Sequence, residues 1–149
     1  MKRRQFICSA VVASILPTLA VAQGTTVVVQ KDPECPCCEA WAEAFEDAGY
    51  QVQVQSVENI DAVKEKLAIP ADVWGCHTAT VDGYYLEGHV PLAAAERLLK
   101  ERPLIAGLAV AGMPRGSLGM GSDRAASYDV MAVPTNGSKP YVYFEVRPS

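Results

Sequence analysis

Three cysteines lie within four residues of this chain, in the sequence Cys-Pro-Cys-Cys at residues 35–38. The segment follows an apolar, β-branched run at residues 26–29 and precedes a helical pattern with an apolar face at Trp41, Phe45 and Ala48. The thiols are therefore predicted to lie where a strand turns into a helix. Backbone N–H groups at a helix N-terminus lack intrahelical partners and carry partial positive charge, which favours the thiolate over the thiol.

Two kinds of chemistry fit this cluster. Cys35 and Cys38 form a C-x-x-C pair after a strand, which is typical of thiol-disulfide oxidoreductases and would make these two residues catalytic. Alternatively, the three thiols and a distant fourth form a site for a soft metal, because thiolate and thioether ligands select Cu(I) over hard cations. The extra thiol of Cys37 is needed only by the second interpretation.

The first 22 residues have the pattern of a secretory signal peptide. Residues 2–4 are basic, residues 6–19 are mostly apolar, and Ala-Val-Ala precedes residue 23 as a small-x-small cleavage site. The apolar run is short and interrupted by Pro17, which disfavours a membrane anchor. The paired arginines also resemble a twin-arginine signal. We therefore expect residues 1–22 to be removed and residues 23–149 to form a single periplasmic domain.

Cleavage changes both the charge and the cysteine count. The mature chain would carry ten basic and seventeen acidic residues, a formal charge of −7, which argues against nucleic-acid binding through the net field. Cys8 leaves with the signal peptide, and four cysteines remain: Cys35, Cys37, Cys38 and Cys76. An even number in an exported protein usually indicates disulfides, but three of these thiols are too close together to connect distant parts of the chain.

Apolar patterning predicts the element order β-α-β-α-β-β-α, followed by further strands. The predicted strands are residues 25–31, 51–57, 78–81, 84–87, 128–133 and 141–146. The strict alternation of the second strand predicts one buried face, and Asp82-Gly83 predicts a tight hairpin. The order is that of a thioredoxin-like α/β fold with a mixed sheet, flanking helices and a C-terminal β elaboration.

This order places a distant cysteine beside the first three. The loop that enters the third strand lies next to the first strand-to-helix turn, at the carboxyl edge of the sheet. Since that loop contains Cys76 and His77, we expect the Cys76 sulfur within about 7 Å of the cluster, the separation that a disulfide or a shared metal requires.

Further donors lie later in the sequence. His77 and His89 are the only imidazoles, and Met113 and Met120 belong to a glycine-rich loop at residues 112–121, where a packing role is less natural than in a core helix. A zinc site is the main alternative for a metal, but zinc usually takes paired C-x₂₋₄-C knuckles, which this cysteine spacing does not provide.

Together these segments resemble the CopG-type periplasmic copper-resistance family. The matching stretches are residues 35–38, 76–78, 87–91, 112–114 and 119–120. The resemblance implies a thioredoxin-like fold, a role in copper redox or transfer with other periplasmic copper-handling proteins as partners, and a set of copper ligands. These are Cys35, Cys37, Cys38 and Cys76, with His77, His89, Met113 and Met120 as supporting candidates. Ala111 and Leu118 stand where the family pattern has proline.

The charge of four thiolates also bears on the number of metal ions. One Cu(I) among four thiolates would leave a net charge of −3 in a partly desolvated site, which is costly without matching cations. Lys31 is the only base close to the cluster in sequence. Several Cu(I) ions that share bridging thiolates would neutralise the sulfurs, so we predict that the site binds more than one Cu(I), namely three or four.

Overall fold

The computed structural model describes residues 24–149, which form a seven-stranded mixed sheet with three α-helices. The strands are β1 (Thr26–Lys31), β2 (Gln51–Ser56), β3 (His77–Val81), β4 (Tyr84–Glu87), β5 (Ile105–Ala109), β6 (Tyr128–Pro134) and β7 (Tyr141–Val146). The helices are α1 (Pro36–Asp47), α2 (Ile60–Lys66) and α3 (Leu92–Glu101). The predicted α/β fold with flanking helices and a C-terminal β extension is confirmed. The predicted signal peptide at residues 1–22, with Cys8, lies outside the described residues.

The strand order brings the ends of β1 and β3 together. The sheet runs β2-β1-β3-β4-β5-β6-β7, with β1 parallel to β2 and antiparallel to β3. Lys31, the last residue of β1, pairs with His77, the first residue of β3. The turn that follows β1 and the loop that precedes β3 therefore share one edge of the sheet.

Helices cover both faces of the sheet. On one face, α1 and α3 contribute Trp41, Phe45 and Leu98 to a buried core with Val29 and Leu86. On the other face, a smaller cluster forms where α2 leads into a 3₁₀ turn at Ala71–Val73; it contains Ile69, Val73, Tyr85, Ala109 and Val133. Among residues 24–149, no helix combines the length and the apolar character needed to cross a bilayer.

The structure contains the hairpin turn and the helix cap that the local sequence predicts. Asp82 and Gly83 both have positive φ, 49° and 87°, the geometry of a two-residue hairpin turn between β3 and β4. The side chain of Asn59 accepts a hydrogen bond from the Ala62 N–H and caps α2, as its residue type predicts.

Two features of the sheet differ from the sequence prediction. The prediction of a buried face on β2 is wrong: β2 is an edge strand, Val52 is half-buried and Val54 is 46% exposed. Strand β5 was not predicted, because its residues are small and its apolar run resembles a loop. One of the small residues, Gly107, is required by a tertiary contact, since a Cβ there would lie 2.5 Å from the ring of Tyr85.

Candidate metal centre

The first part of the site is the N-terminus of α1. Cys35 is the N-cap residue, no side chain caps the helix, and Pro36 occupies its first turn, where a missing N–H costs nothing. Cys35 and Cys38 are joined by a disulfide. The sulfur of Cys37, a free thiol, lies 3.6 Å from that of Cys35.

Cys76 completes the group of sulfurs. Its Sγ lies 3.6 Å from the Sγ of Cys38 and 3.9 Å from the Sγ of Cys37. The predicted proximity of Cys76 to the cluster is therefore confirmed. All four sulfur atoms lie within 4.8 Å of one another.

Both histidines also contact Cys76. Its Sγ lies 2.9 Å from Nε2 of His89 and 3.4 Å from Nδ1 of His77. The three residues form a second group of potential ligand atoms that shares Cys76 with the cysteine group. Of the eight predicted ligands, the structure thus brings six together: Cys35, Cys37, Cys38, Cys76, His77 and His89.

Hydrogen bonding fixes the orientation and tautomer of His89. The hydroxyl of Ser117 donates to the carbonyl oxygen of Pro114 over 2.6 Å, so its oxygen is left to accept from Nδ1–H of His89 at 2.9 Å. Protonation at Nδ1 leaves the lone pair of Nε2 directed at Cys76. Metal-binding histidines typically donate their second ring N–H in this way. The lone pair of His89 Nε2 is therefore oriented so that it could bind a metal ion beside Cys76.

Burial keeps the groups around Cys76 neutral. Desolvation, with a smaller contribution from the neighbouring Cys37, raises the pKa of the Cys76 thiol to about 12. Desolvation, with His89 and Lys64, lowers the pKa of His77 to about 3, and burial also lowers the pKa of His89. The free site therefore holds a protonated thiol and neutral imidazoles, and a metal that bound to Cys76 would displace its proton.

Trp41 connects the two sides of the site. Its indole N–H donates to the carbonyl of Val90 at 2.9 Å, and its ring lies 4.5 Å from the ring of His77. His77 is fully buried, and its Nε2 has no hydrogen-bond partner in the described part of the chain. The histidine is thus held by packing rather than by polar contacts on its far side.

The glycine-rich loop borders the site but leaves its methionines exposed. Gly112 donates to the carbonyl of Trp74, beside Cys76, and a Cβ on Gly119 would lie 2.4 Å from the carbonyl oxygen of Cys37. The loop therefore contacts both cysteine segments through its backbone. The side chains of Met113 and Met120 are 54% and 41% exposed, and their role as ligands stays a prediction.

Sequence reasoning missed the charged groups under the site. It identified Lys31 as the one nearby base, and the structure adds Lys64, which is buried in an ion pair with Glu87 next to the Cys76 segment. Glu87 ends an otherwise apolar strand, which is a weak signal for a buried partner. Lys64 lies on a polar helix and had no such signal.

The donor set fits a soft metal ion. Four sulfurs lie close enough to share one or more ions, and imidazole nitrogens adjoin them. In the disulfide form described here, Cys35 and Cys38 are bonded to each other. Their sulfurs are available to a metal ion only after two electrons and two protons open that bond.

Known proteins resemble this chain in sequence and in structure. A family model described as "Protein of unknown function, DUF411" matches residues 73–120, whereas no curated protein sequence matches the chain. A solved structure named "Copper resistance protein copG- Form 1" is 35% identical, covers 82% of this chain and 97% of that one, and superposes with a TM-score of 0.76. This chain belongs to the CopG copper-resistance family. A second CopG structure, "Form 2", is 34% identical with a TM-score of 0.77, covering 83% of this chain and 99% of that one.

The two matches differ in how much of the site they include. The DUF411 segment, residues 73–120, contains Cys76, both histidines and the two methionines Met113 and Met120, but not the cysteine turn at residues 35–38. The CopG structures cover more than four-fifths of the chain.

Proposed function

We propose that this protein binds Cu(I) through the thiolates of Cys35, Cys37, Cys38 and Cys76 and contributes in this way to copper resistance. The supporting observation is the convergence of four sulfurs within 4.8 Å in a chain of a copper-resistance family. Thiolate is the protein ligand that best selects Cu(I). With its predicted signal peptide, the protein would act in the periplasm, where other copper-handling proteins would deliver or receive the ion.

More than one Cu(I) ion is expected at the site. Cys37 and Cys38 are adjacent in sequence and cannot both ligate one small ion without strain, whereas in a cluster each thiolate can bridge a different pair of ions. Bridging also neutralises the sulfurs, which matters because Cys38 is fully buried. We therefore propose three or four Cu(I) ions per chain.

The remaining donors would complete the coordination of such a cluster. His89 is suited to donate from Nε2, since Ser117 holds its other nitrogen. His77 lies against the same thiol. The exposed thioethers of Met113 and Met120 are accessible to copper that arrives from solvent.

Copper redox chemistry is the proposed enzymatic activity, and the Cys35–Cys38 disulfide supports it. Opening the Cys35–Cys38 bond consumes two electrons and two protons and yields two thiols. Two Cu(I) ions would supply the two electrons and leave as two Cu(II) ions. The reverse reaction would close the disulfide, reduce two Cu(II) ions and release two protons.

A second candidate function is thiol-disulfide exchange with another protein. The observation that favours it is the disulfide between Cys35 and Cys38, which form a C-x-x-C pair at a helix N-terminus. This activity would not need Cys37, Cys76 or either histidine.

Metal content and copper stoichiometry test the proposal. The protein should be purified from the periplasm without air, analysed for metals and free thiols, and titrated anaerobically with Cu(I) under native mass spectrometry. We expect three or four Cu(I) ions per chain, with release of protons. Saturation at one copper with all four thiols reduced would refute the cluster. One tightly held zinc that Cu(I) does not displace, or no uptake of Cu(I) by the fully reduced chain, would refute the copper function.

A further inference from the structure

A buried ion pair lies directly beneath the Cys76 segment. Lys64 of α2 is 1% exposed and Glu87 of β4 is fully buried, and the Lys64 ammonium lies 2.5 Å from Oε1 of Glu87. The ammonium also donates to the hydroxyl of Thr78 at 3.1 Å. Two charged residues from separate elements are therefore removed from water at one point of the sheet edge.

The carboxylate of Glu87 holds both ends of a four-residue segment. Its Oε1 accepts from the N–H of Gly75 at 2.7 Å, and its Oε2 accepts from the hydroxyl of Thr78 at 2.6 Å. Cys76 and His77 are the two residues between these anchors. One side chain thus fixes the backbone before the cysteine and the side chain after the histidine.

Contacts between glycines bring the same segment next to His89. A Cβ on Gly75 would lie 2.4 Å from the Cα of Gly88, so the two backbones touch. Gly88 also donates to the carbonyl of His77 at 2.8 Å. Because Gly88 lies between Glu87 and His89, the backbone that carries both the carboxylate and the imidazole is in direct contact with the Cys76 segment.

Stability alone is a poor explanation for this arrangement. Desolvation of two charges offsets most of their attraction, and well-packed apolar residues often replace a buried ion pair at no cost. Support of neighbouring ligands is another use of buried polar groups, because mutation of the residues that orient metal ligands typically lowers metal affinity about 10- to 100-fold.

We propose that the Lys64–Glu87 pair is a positioning element that holds Cys76 and His77 in reach of the cysteine turn. Glu87 fixes the segment through Gly75 and Thr78, and Lys64 holds the carboxylate in place through the ion pair. Neither residue touches the metal. The proposal rests on the proposed copper function for its biological meaning, but its geometric content can be tested without copper.

The first test measures, by disulfide formation, how closely the Cys76 thiol is held to the Cys38 thiol. In a Cys35→Ser/Cys37→Ser background, the remaining thiols, Cys38 and Cys76, are equilibrated with oxidised glutathione, which takes up their two electrons and two protons as it becomes two reduced glutathiones. The ratio of products gives the effective concentration of one thiol at the other. We expect Lys64→Met/Glu87→Leu to lower it about tenfold, because small displacements of reacting groups are costly.

Two variants separate positioning from general stability. Lys64→Met/Glu87→Gln keeps an amide oxygen for Gly75 and an amide N–H for Thr78, and should restore most of the effective concentration. Leu98→Ala removes a buried side chain of α3 and should lower the melting temperature without changing that concentration. An unchanged value in the Glu87→Leu double variant, or an equal fall in Leu98→Ala, would overturn the proposal.

A milder change covers the case in which the apolar double variant does not fold. Thr78→Val removes one of the two anchors with little change in shape, and should lower the effective concentration about threefold, a fraction of the full effect. No change in that variant, in a chain shown by circular dichroism to be folded, would count against the proposal.

The second test uses copper with all four cysteines intact. Competition with a chromogenic Cu(I) chelator should show an affinity about 10- to 100-fold weaker in Lys64→Met/Glu87→Leu than in the wild type. If the wild-type chain binds no Cu(I), the proposed function fails and the glutathione measurement alone decides the positioning proposal. Equal copper affinity in both chains, with the wild type loaded, would overturn it.

Discussion

The two halves of the site are built in different ways. The first half, the cysteine turn, presents Cys35, Cys37 and Cys38 from one helix N-terminus within four residues of sequence. The second half, the Cys76 side, combines Cys76, His77 and His89 from the start of β3 and the segment after β4. A short motif thus supplies three candidate ligands, whereas the other candidates depend on contacts between distant parts of the chain.

The supporting lysines show the same contrast. Under the cysteine turn, Lys31 donates to the carbonyls of Asp32 and Pro33 and pairs with Glu39, whose side chain is 64% exposed. Under the Cys76 side, Lys64 and Glu87 pair with each other, and their side chains are only 2% and 0% exposed. Water can therefore replace the partners of the lysine under the cysteine turn, but it cannot replace the partner of the lysine under the Cys76 side.

The largest expected effect follows from this contrast. Lys64→Met leaves the Glu87 carboxylate buried and unpaired, and should lower the free energy of unfolding by about 3–5 kcal/mol. The matched change Lys31→Met leaves two carbonyls and a solvent-accessible carboxylate, and should cost only about 1–2 kcal/mol. Urea denaturation of the reduced, metal-free proteins measures both. Equal costs would show that the two halves are supported alike.

A smaller effect tests the close approach of backbones on the Cys76 side. Gly88 and Gly83 both have positive φ, 67° and 87°, so alanine is strained at either position. A Cβ at Gly88 would lie 2.5 Å from the carbonyl of Val110, but one at Gly83 meets nothing within 4 Å. Gly88→Ala should therefore cost about 1–3 kcal/mol more than Gly83→Ala in the same denaturation experiment. If both alanines cost the same, backbone contact does not hold this half together.

The sequence was sufficient to predict the position of the cysteine turn and the proximity of Cys76 to it. Strand and helix periodicity placed the cysteine turn, and the order of elements placed Cys76 beside it, because chain topology leaves few ways to connect β1, α1 and β3. The support of the Cys76 side was beyond that reasoning. Whether a lysine such as Lys64 is buried depends on a partner 23 residues away, and no local pattern encodes that pairing.

The same limit explains the errors in the sheet. Alternation along β2 indicated one buried face, but burial depends on which strand lies at the edge, and that is a property of the whole sheet. In β5, Gly107 lies against the backbone and ring of Tyr85, where a Cβ would not fit. The glycine at position 107 therefore reflects a tertiary contact rather than the preference of this residue type for a strand.

The smallest effect concerns the helix that carries Lys64. Asn59 caps α2 through its side-chain oxygen, and Asn59→Ala should lower the free energy of unfolding by about 1 kcal/mol. The cap is exposed and lies at the far end of the helix from Lys64, so copper stoichiometry should not change. Asn59→Ser, which can still cap, serves as the control. A loss of copper in Asn59→Ala but not in Asn59→Ser would show that the whole of α2, rather than the ion pair, supports the Cys76 side.

The central claim is that the four thiols act together on copper, and Cys37 tests it most directly. Thiol-disulfide exchange needs only Cys35 and Cys38, so Cys37→Ser would retain most of that activity. A shared copper cluster needs every thiolate. Anaerobic Cu(I) titration of Cys37→Ser, Cys38→Ser and the wild type should therefore show that both variants lose copper stoichiometry or affinity to the same degree. Unchanged copper binding in Cys37→Ser would contradict the account.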